Sequence, residues 1–323
     1  MVTAEKLSAD LSYGAVIRNI TLDRLRDEEN RRELRAHWRQ HGVLVFAETD
    51  ITNELHVELS KVFGDLEGHF QKDRYVDGHP ELVAFSSDPE KESTVDVDGQ
   101  PLVGYIPWHT DFRWSAHPNH GGILRVHKQP AKGGTTGFAC MIEAYDRLPE
   151  ALKRRIDGLE AVCQMGTDDA HMYKYYRRKR LRTLIEGSTL ANVRKRPASD
   201  FVPVAHPLVR VQPETGRKML YFTPHMAAGI VGMEPAEAEE LLYTLADHIT
   251  DEDFTYHHAW RKGDMVLWDN LRMLHQADGV PPGEEREVWR TTISAPAPTG
   301  RNLAEGGWSW EAQRGDLEAA GVK

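Results

Sequence analysis

The sequence has little cysteine and no long apolar run. Only two of its 323 residues are cysteines, Cys140 and Cys163, and their separation excludes a disulfide framework and a closely spaced cysteine zinc motif. We expect both to be buried thiols in a reducing compartment. No stretch approaches the ~20 apolar residues of a membrane span, and the N-terminus lacks the basic and apolar regions of a signal peptide. These absences predict a cytoplasmic protein with no membrane partner.

Positive charge is also scarce. The chain has 40 Lys and Arg against 50 Asp and Glu, for a formal net charge of −10. Because nucleic-acid binding requires a dominant basic surface, we expect no nucleic-acid partner. A composition of 40% hydrophobic and 28% charged residues allows a sizeable core without covalent cross-links. We predict a single domain over residues 1–323, and we leave open whether it forms a homo-oligomer.

The basic residues that are present concentrate in one segment, which we predict to be a lid-like insertion at about residues 165–200. Such a segment is most often a solvated face. The alternatives are a lid that closes over an anionic substrate and a docking face for a carrier protein or a coenzyme A ester. The cations are Lys174, Arg177, Arg178, Lys179, Arg180, Arg182, Arg194, Lys195 and Arg196.

The apolar pattern predicts short strands between helices. Strand-like runs lie at Val43–Phe46, Ile123–His127, Thr135–Met141, Val209–Val211, Met219–Phe222, Met265–Trp268 and Trp289–Ser294. Helices are predicted at Asp27–Gln40, from Thr52 to about Phe63, at Ile142–Gly158 and at Pro235–Ile249, and a surface loop at Asp88–Gln100. Strands separated by Gly, Pro and Asp-Asn turns favour an antiparallel barrel with helices outside.

A histidine and a carboxylate, His109 and Asp111, stand two residues apart. In an extended segment both side chains project from one face, so they can bind one ion. His275 follows a strand-like run and a turn, and can supply the third ligand of a two-histidine, one-carboxylate iron(II) site. The motif alone is weak, because a chain with 16 histidines often contains it by chance. A zinc hydrolase is an alternative, although no general base is placed near the motif.

Two arginines strengthen this interpretation. Arg286 and Arg290 follow His275 by 11 and 15 residues, on or near a predicted strand. Arginine binds carboxylates in a bidentate manner, so one of these residues could hold the far carboxylate of an oxoacid chelated to the metal. The alternative for Arg290 is a structural pair with a surface acid, one of Glu284, Glu285 or Glu287.

Taken together, the motifs resemble the taurine dioxygenase (TauD/TfdA) family over about residues 42–294. The matching segments are Pro107-Trp108-His109-Thr110-Asp111, Gly133-Gly134-Thr135-Thr136, His206-Pro207-Leu208-Val209-Arg210, Glu214-Thr215-Gly216-Arg217-Lys218 with Leu220-Tyr221, and Trp268-Asp269-Asn270 before His275. The resemblance implies a mainly β fold with flanking helices, a double-stranded β-helix (jelly roll, cupin-like) with iron at one mouth.

The resemblance also implies roles for individual residues, with Fe(II), 2-oxoglutarate and O2 as cofactor and cosubstrates. His109, Asp111 and His275 match the metal ligands. Thr136 and Arg286 match the residues that bind the distal carboxylate of 2-oxoglutarate. The positions that match or neighbour the substrate site are Arg290, Tyr105, His69 and Met226, with Trp114 and His225 as further wall residues. For His69 the alternative is a surface histidine.

The implied reaction is oxidation of an aliphatic C–H of a small anionic substrate, a carboxylate, sulfonate or amino-acid derivative, with release of succinate and CO2. Asp111 favours hydroxylation, because related halogenases have a small residue in its place. Tyr105 stands where the taurine enzyme has an asparagine, which favours a larger or more aromatic substrate than taurine. Family members have a mobile connection in the basic segment, which ranks a lid above a docking face. A non-catalytic, cupin-like sensor is the alternative function.

Overall fold

The structure is a computed structural model that describes residues 2–69, 71–196 and 201–304. The helices are α1 (Leu22–Leu25), α2 (Glu28–His41), α3 (Asn53–Lys61), α4 (Met141–Arg147), α5 (Glu150–Ile156), α6 (Asp169–Met172), α7 (Ser188–Arg194) and α8 (Pro235–Ile249). Within these ranges, no helix is long and apolar enough to cross a membrane.

Strands outnumber helices in the described residues. They are β1 (Ala4–Lys6), β2 (Ala15–Arg18), β3 (Val43–Ala47), β4 (Tyr75–Val76), β5 (His79–Ser86), β6 (Thr94–Val97), β7 (Gln100–His109), β8 (Gly121–Lys128), β9 (Thr136–Cys140), β10 (Glu160–Cys163), β11 (Leu181–Ile185), β12 (Val204–Pro207), β13 (Val209–Val211), β14 (Lys218–Leu220), β15 (Ala227–Ile230), β16 (Thr255–His258), β17 (Met265–Asp269), β18 (Met273–Val280), β19 (Glu287–Ile293) and β20 (Arg301–Asn302).

Two large sheets form the body of the molecule. One has eight strands in the order β1-β2-β3-β17-β8-β19-β5-β4, and the other has six in the order β11-β6-β7-β18-β9-β16. Neighbouring strands are antiparallel in both, except for the parallel pair β2 and β3. A four-stranded sheet (β15-β10-β12-β20) and the hairpin β13-β14 complete the described strands. The predicted antiparallel arrangement with helices outside is confirmed.

The alternation of side chains along β3 shows how the layers pack. Val43 and Val45 face a core shared with β7, β9 and β18 of the six-stranded sheet, so the two large sheets lie face to face. Leu44 and Phe46 point the other way, into a second core that α2 and α3 cover. One strand therefore carries apolar residues on both faces, which explains its continuous hydrophobic run.

Three of the predicted helices form as expected because their ends carry capping residues. Asp27 and Thr52 accept backbone hydrogen bonds at the starts of α2 and α3. Gly42 ends α2 with a φ of 73°, a conformation that favours glycine. Pro235 occupies the first turn of α8.

Two of the predicted elements were wrong. The helix expected at Ile142–Gly158 is two helices, α4 and α5, which break at Leu148 and Pro149. Proline lacks an N–H and disfavours helical backbone in the residue before it, so Leu148 adopts an extended conformation with a ψ of 139°. The loop expected at Asp88–Gln100 contains β6, which pairs with β7 across a tight turn at Asp98 and Gly99.

Candidate active site

Two histidines face each other at the end of the six-stranded sheet. His109 is the last residue of β7, and His275 on the neighbouring strand β18 is its direct cross-strand partner. Antiparallel pairing places both side chains on the same face, with ring centroids 4.1 Å apart. His275 was expected after a strand and a turn, and it lies within a strand that begins two residues earlier.

Asp111 completes the cluster just beyond β7. Its Oδ1 lies 3.8 Å from Nε2 of His109 and 3.6 Å from Nε2 of His275. The side chain of Asn270 fixes the Asp111 backbone on both sides: Oδ1 accepts from Asp111 N at 2.8 Å, and Nδ2 donates to Asp111 O at 3.1 Å. The Asn270 amide also donates to Asn119, so a buried polar network holds the loop.

The charge of Asp111 is maintained by a buried arginine. Burial alone would raise the pKa of this carboxyl, but Arg290 and the two histidines outweigh it and hold the pKa well below its usual value. Arg290 Nη2 lies 2.7 Å from Asp111 Oδ2, a charge contact whose angle is outside that of a hydrogen bond. Burial lowers the pKa of His109, which keeps its imidazole neutral. A carboxylate and neutral imidazoles are the protonation states in which these groups bind metals.

The three side chains fit a divalent iron ion. One ligand atom from each of His109, Asp111 and His275 lies within 4.8 Å of the others. Nδ1 of His109 lies 2.7 Å from Pro107 O, so it carries the proton and Nε2 is left as a ligand. Two histidines and one carboxylate from one side leave coordination positions for other molecules, the arrangement of non-haem iron(II) oxygenases.

A second cation, Arg286, lines the same cavity. Arg286 is partly buried, its Nε is a buried atom without a hydrogen-bond partner, and no carboxylate lies within 4.0 Å of its side-chain nitrogens among the described residues. Burial lowers its pKa to about 10, so the guanidinium stays charged at neutral pH. Thr136 on β9 lines the cavity with Arg286. Gly134 leaves space for the Arg286 side chain, because a Cβ at this position would lie 2.9 Å from Cδ of Arg286. A partly buried guanidinium without a carboxylate partner, in a cavity that a hydroxyl also lines, fits an anionic carboxylate.

All nine predicted site residues line one cavity with a volume of about 360 Å³. Tyr105 and Met226 form part of its wall, and both are buried. Burial lowers the pKa of His69 to about 3, and the charge of Arg290 adds to this effect. Trp114 and His225 also line it. Arg290 faces this cavity rather than the surface acids considered as its alternative partners. Further apolar walls come from Phe85, Phe112, Leu124 and Val288.

The comparisons with known proteins agree with this geometry. The family model described as taurine catabolism dioxygenase TauD, TfdA family, matches residues 3–292. The chain belongs to this family. It is 32% identical to the (S)-phenoxypropionate/alpha-ketoglutarate-dioxygenase of Sphingobium herbicidovorans, over 88% of this chain and 93% of that protein. It is 31% identical to the alpha-ketoglutarate-dependent 2,4-dichlorophenoxyacetate dioxygenase of a Burkholderia species, over 83% of this chain and 84% of that protein.

The fold of this TauD/TfdA family member is the predicted double-stranded β-helix. A crystal structure of a taurine dioxygenase from Burkholderia xenovorans superimposes with a TM-score of 0.72 at 28% identity, and it covers 95% of this chain and 96% of that one. The protein is an alpha-ketoglutarate-dependent dioxygenase that uses Fe(II), 2-oxoglutarate and O2. The sensor and zinc hydrolase alternatives do not account for these relationships.

The basic segment of this dioxygenase is largely neutralised by acids within the described residues. Most of its cations are paired with acids, so they form a surface charge network. The contacts include Lys174 with Glu239 at 2.6 Å, Arg177 with Asp247 at 2.6 Å, Lys179 with Glu252 at 3.5 Å and Arg194 with Asp169 at 2.7 Å. The segment nevertheless reaches the cavity, because Thr189, Leu190 and Val193 of α7 line it. Whether it moves as a lid stays a prediction, and residues 197–200 of the predicted insertion lie outside the described residues.

Sequence reasoning missed three functional neighbours of the dioxygenase site. In the sequence Asn270 is part of a turn and of the family motif before His275, but neither predicts that its side chain holds the backbone of Asp111. Trp268 packs against His275 at 5.1 Å and under the guanidinium of Arg290 at 5.0 Å. Val288 on β19 lies between Arg286 and Arg290 in the sequence. The period-two alternation of a strand places these three side chains on one face, and this signal could have identified Val288 as a cavity residue.

Proposed function

We propose that this dioxygenase hydroxylates an aliphatic C–H of a small anionic substrate that has an apolar, aromatic-sized body. The observation that carries the proposal is Arg290: it is a buried cation on the cavity wall, and its Nε has no hydrogen-bond partner among the described residues. The neighbouring walls, Phe85, Phe112 and Val288, are apolar. A cation at one end of an apolar cavity is complementary to an organic carboxylate or sulfonate.

In this proposal His109, Asp111 and His275 hold iron(II). Bound iron(II) and 2-oxoglutarate supply the oxidising chemistry, in which one atom of O2 enters succinate as CO2 leaves and the other enters the product alcohol. Arg286 and Thr136 bind the distal carboxylate of 2-oxoglutarate and so orient its keto-acid end toward the three ligands. The carboxylate of Asp111 occupies the position that a halogenase leaves to chloride, which supports hydroxylation.

In this proposal Arg290 contacts both the metal ligand Asp111 and the anionic group of the substrate. It lies beside Asp111, so an anion bound to its remaining nitrogens places the adjacent carbon near the metal ligands. The apolar walls, which include Leu190 and Val193 of α7, disfavour water in the cavity. Tyr105 and Met226 limit the size of the substrate body, and His69 lies beside Phe112 at 6.0 Å on the same wall.

A pair of matched substrates tests the proposal. The carboxylate 2-phenoxypropionate and its neutral amide, 2-phenoxypropionamide, differ only in the group that Arg290 would bind. We expect substrate-dependent succinate formation with the carboxylate, and a kcat/KM at least about 100-fold lower with the amide, because a buried charged contact contributes about 3 kcal/mol or more. The substitution Arg290→Gln should remove most of this preference, measured as the ratio of the two kcat/KM values.

Two controls make this test specific. Arg125→Gln removes a buried arginine that stacks on Trp289 and does not line the cavity, so it should leave the ratio unchanged. Binding of iron and 2-oxoglutarate by Arg290→Gln is measured separately, because Arg290 also contacts Asp111. Equal turnover of acid and amide by the wild-type enzyme would contradict the proposed substrate class.

The wider organisation is part of the same proposal. We propose one catalytic domain over residues 1–323 with a lid-like insertion at about 165–200, supported by the family match over residues 3–292 and by the contacts of α7 with the cavity. A small-molecule substrate is consistent with the named relatives, whereas the cytoplasmic location, the absence of a nucleic-acid partner and the oligomeric state stay predictions from the sequence.

A further inference from the structure

An indole N–H contacts a hydroxyl group that lines the cavity. Trp260 Nε1 donates to Thr136 Oγ1 at 3.1 Å, and both side chains are buried. Trp260 follows β16, on which His258 is the direct cross-strand partner of Thr136. The pairing of β16 with β9 therefore brings the indole to Thr136, and Thr136 lines the cavity whereas Trp260 does not.

This contact determines how the Thr136 hydroxyl can act. A hydroxyl has one donor hydrogen and two acceptor lone pairs, whereas an indole N–H can only donate. The Thr136 oxygen is therefore the acceptor in its hydrogen bond with Trp260. Among the described residues, no acceptor takes the Thr136 O–H, so this donor is available to the cavity that Arg286 also lines.

We propose that Trp260 is a positioning residue that orients the Thr136 hydroxyl as a hydrogen-bond donor to the distal carboxylate of 2-oxoglutarate. The inference rests on the assignment of Thr136 and Arg286 to that carboxylate in the proposed function. Because the indole N–H occupies one lone pair of the Thr136 oxygen and cannot accept a hydrogen bond, the Thr136 O–H points elsewhere. Arg286 then supplies the charge, and Trp260 through Thr136 supplies the direction of a second contact.

Trp260 is itself held in place by its neighbours. Its backbone carbonyl accepts a hydrogen bond from Gln129 Nε2 at 2.9 Å. Its ring packs edge-on against His258, with centroids 4.8 Å apart and planes at 87°. His258 is in turn 3.2 Å from Asp264, and both are buried. A donor fixed in this way can select one orientation of Thr136 without new ordering when the ligand binds.

The test compares two metal-chelating ligands that differ in their far end. N-oxalylglycine has the distal carboxylate of 2-oxoglutarate, and oxalate lacks it. Their dissociation constants are measured by calorimetry on the Mn(II)-loaded full-length enzyme. We expect Trp260→Phe to raise the dissociation constant of N-oxalylglycine about three- to ten-fold, the effect of one weakened hydrogen bond, and to leave that of oxalate unchanged.

Two further comparisons separate positioning from packing. In the Thr136→Val background, Trp260→Phe should add no further loss, because the hydroxyl it orients is gone. Thr136→Ser keeps the hydroxyl and should bind N-oxalylglycine within about two-fold of wild type. Trp38→Phe is the matched control. Trp38 lies on α2, and its buried indole N–H has no hydrogen-bond partner among the described residues. Trp260→Met replaces Trp260→Phe if the latter does not fold.

The possible failures are distinguishable. If Thr136→Val weakens N-oxalylglycine and Trp260→Phe does not, the positioning role is wrong and the carboxylate site stands. An equal loss for oxalate and N-oxalylglycine in Trp260→Phe also overturns it, because the tryptophan would then support only the general shape of the site. If neither Thr136→Val nor Arg286→Ala changes N-oxalylglycine binding, the assignment in the proposed function is itself wrong.

Discussion

Asn270 shows how much of the metal site depends on a residue that is not a ligand. Its side chain is fully buried and uses its oxygen and both amide hydrogens to join Asp111 to Asn119. Phe112, the residue after Asp111, has a φ of 53°, which is uncommon for a residue other than glycine. The loop that carries Asp111 therefore depends on these hydrogen bonds for its shape.

We predict that Asn270→Ala weakens metal binding about 10- to 100-fold, because Asp111 loses the group that fixes its backbone. The measurement is a titration of the protein with Mn(II), together with thermal unfolding of the metal-free form. Asn30→Ala is the control: Asn30 is also buried and hydrogen-bonded, but in α2. It should lower stability while leaving the metal affinity unchanged. Equal metal affinity in Asn270→Ala and wild type would show that Asp111 needs no such support.

The residue scale also shows what a sequence can reveal about the site. His109 and Asp111 could be predicted to share a face, because alternation along a strand is a local property. The hydrogen bond between Trp260 and Thr136 spans 124 residues of sequence and depends on which strands pair. No local pattern encodes that pairing, so the contact of Trp260 with Thr136 is visible only in the fold.

At the scale of elements, one buried arginine, Arg74, joins three parts of the cavity wall. Arg74 contacts Glu92 and Thr189 through its two terminal nitrogens, and its guanidinium lies over the ring of Phe85 at 5.1 Å. Glu92, Thr189 and Phe85 all line the cavity. Arg74 therefore connects β5, the loop before β6, and α7.

We predict that Arg74→Gln loosens α7. Breaking a buried ion pair is strongly destabilising, and a local loss of about 1.4 kcal/mol already makes opening tenfold more frequent. Amide hydrogen exchange in Ser188–Arg194 should accelerate at least about tenfold. Arg182→Gln is the control, because its contact with Asp96 is 3.7 Å long and largely exposed. Unchanged exchange in Arg74→Gln would mean that α7 is held by its backbone contacts alone.

Elements were predictable where their ends carry a local signal. α2, α3 and α8 have the capping or first-turn residues that define a helix end. The break between α4 and α5 was also signalled, by Pro149, but the apolar spacing on either side concealed it. β6 carries a weak local signal, because Thr94, Val95 and Val97 favour strands, but it has only four residues and lies in a polar, turn-rich segment. Its pairing with β7 and β11 is visible only in the fold.

For the whole molecule, buried histidines make stability depend on pH. Burial lowers the pKa of both His56 and His206 to about 3. In the unfolded chain a histidine has a pKa of about 6.5. Below that pH the unfolded state takes up protons that the folded state cannot, so the free energy of unfolding falls from about pH 6.5 down to about pH 3.

We predict a loss of about 2 kcal/mol from each such histidine between pH 6.5 and pH 5, from about 1.4 kcal/mol per pH unit. Urea unfolding of the metal-free protein across this range measures it. His56→Gln should reduce the slope, because glutamine does not titrate. His127→Gln, at an exposed position, should leave the slope unchanged. A stability that does not vary between pH 7 and pH 5 would contradict the buried, neutral state of these histidines.

The central claim is that one cavity binds iron(II) through His109, Asp111 and His275 and 2-oxoglutarate through Thr136 and Arg286. It is tested most directly by adding iron(II) and 2-oxoglutarate to the protein without oxygen and recording the visible absorption spectrum. The account predicts a metal-to-ligand charge-transfer band that saturates at one equivalent of iron per chain and is lost in His275→Ala. Correctly folded wild-type protein that shows no such band would contradict it.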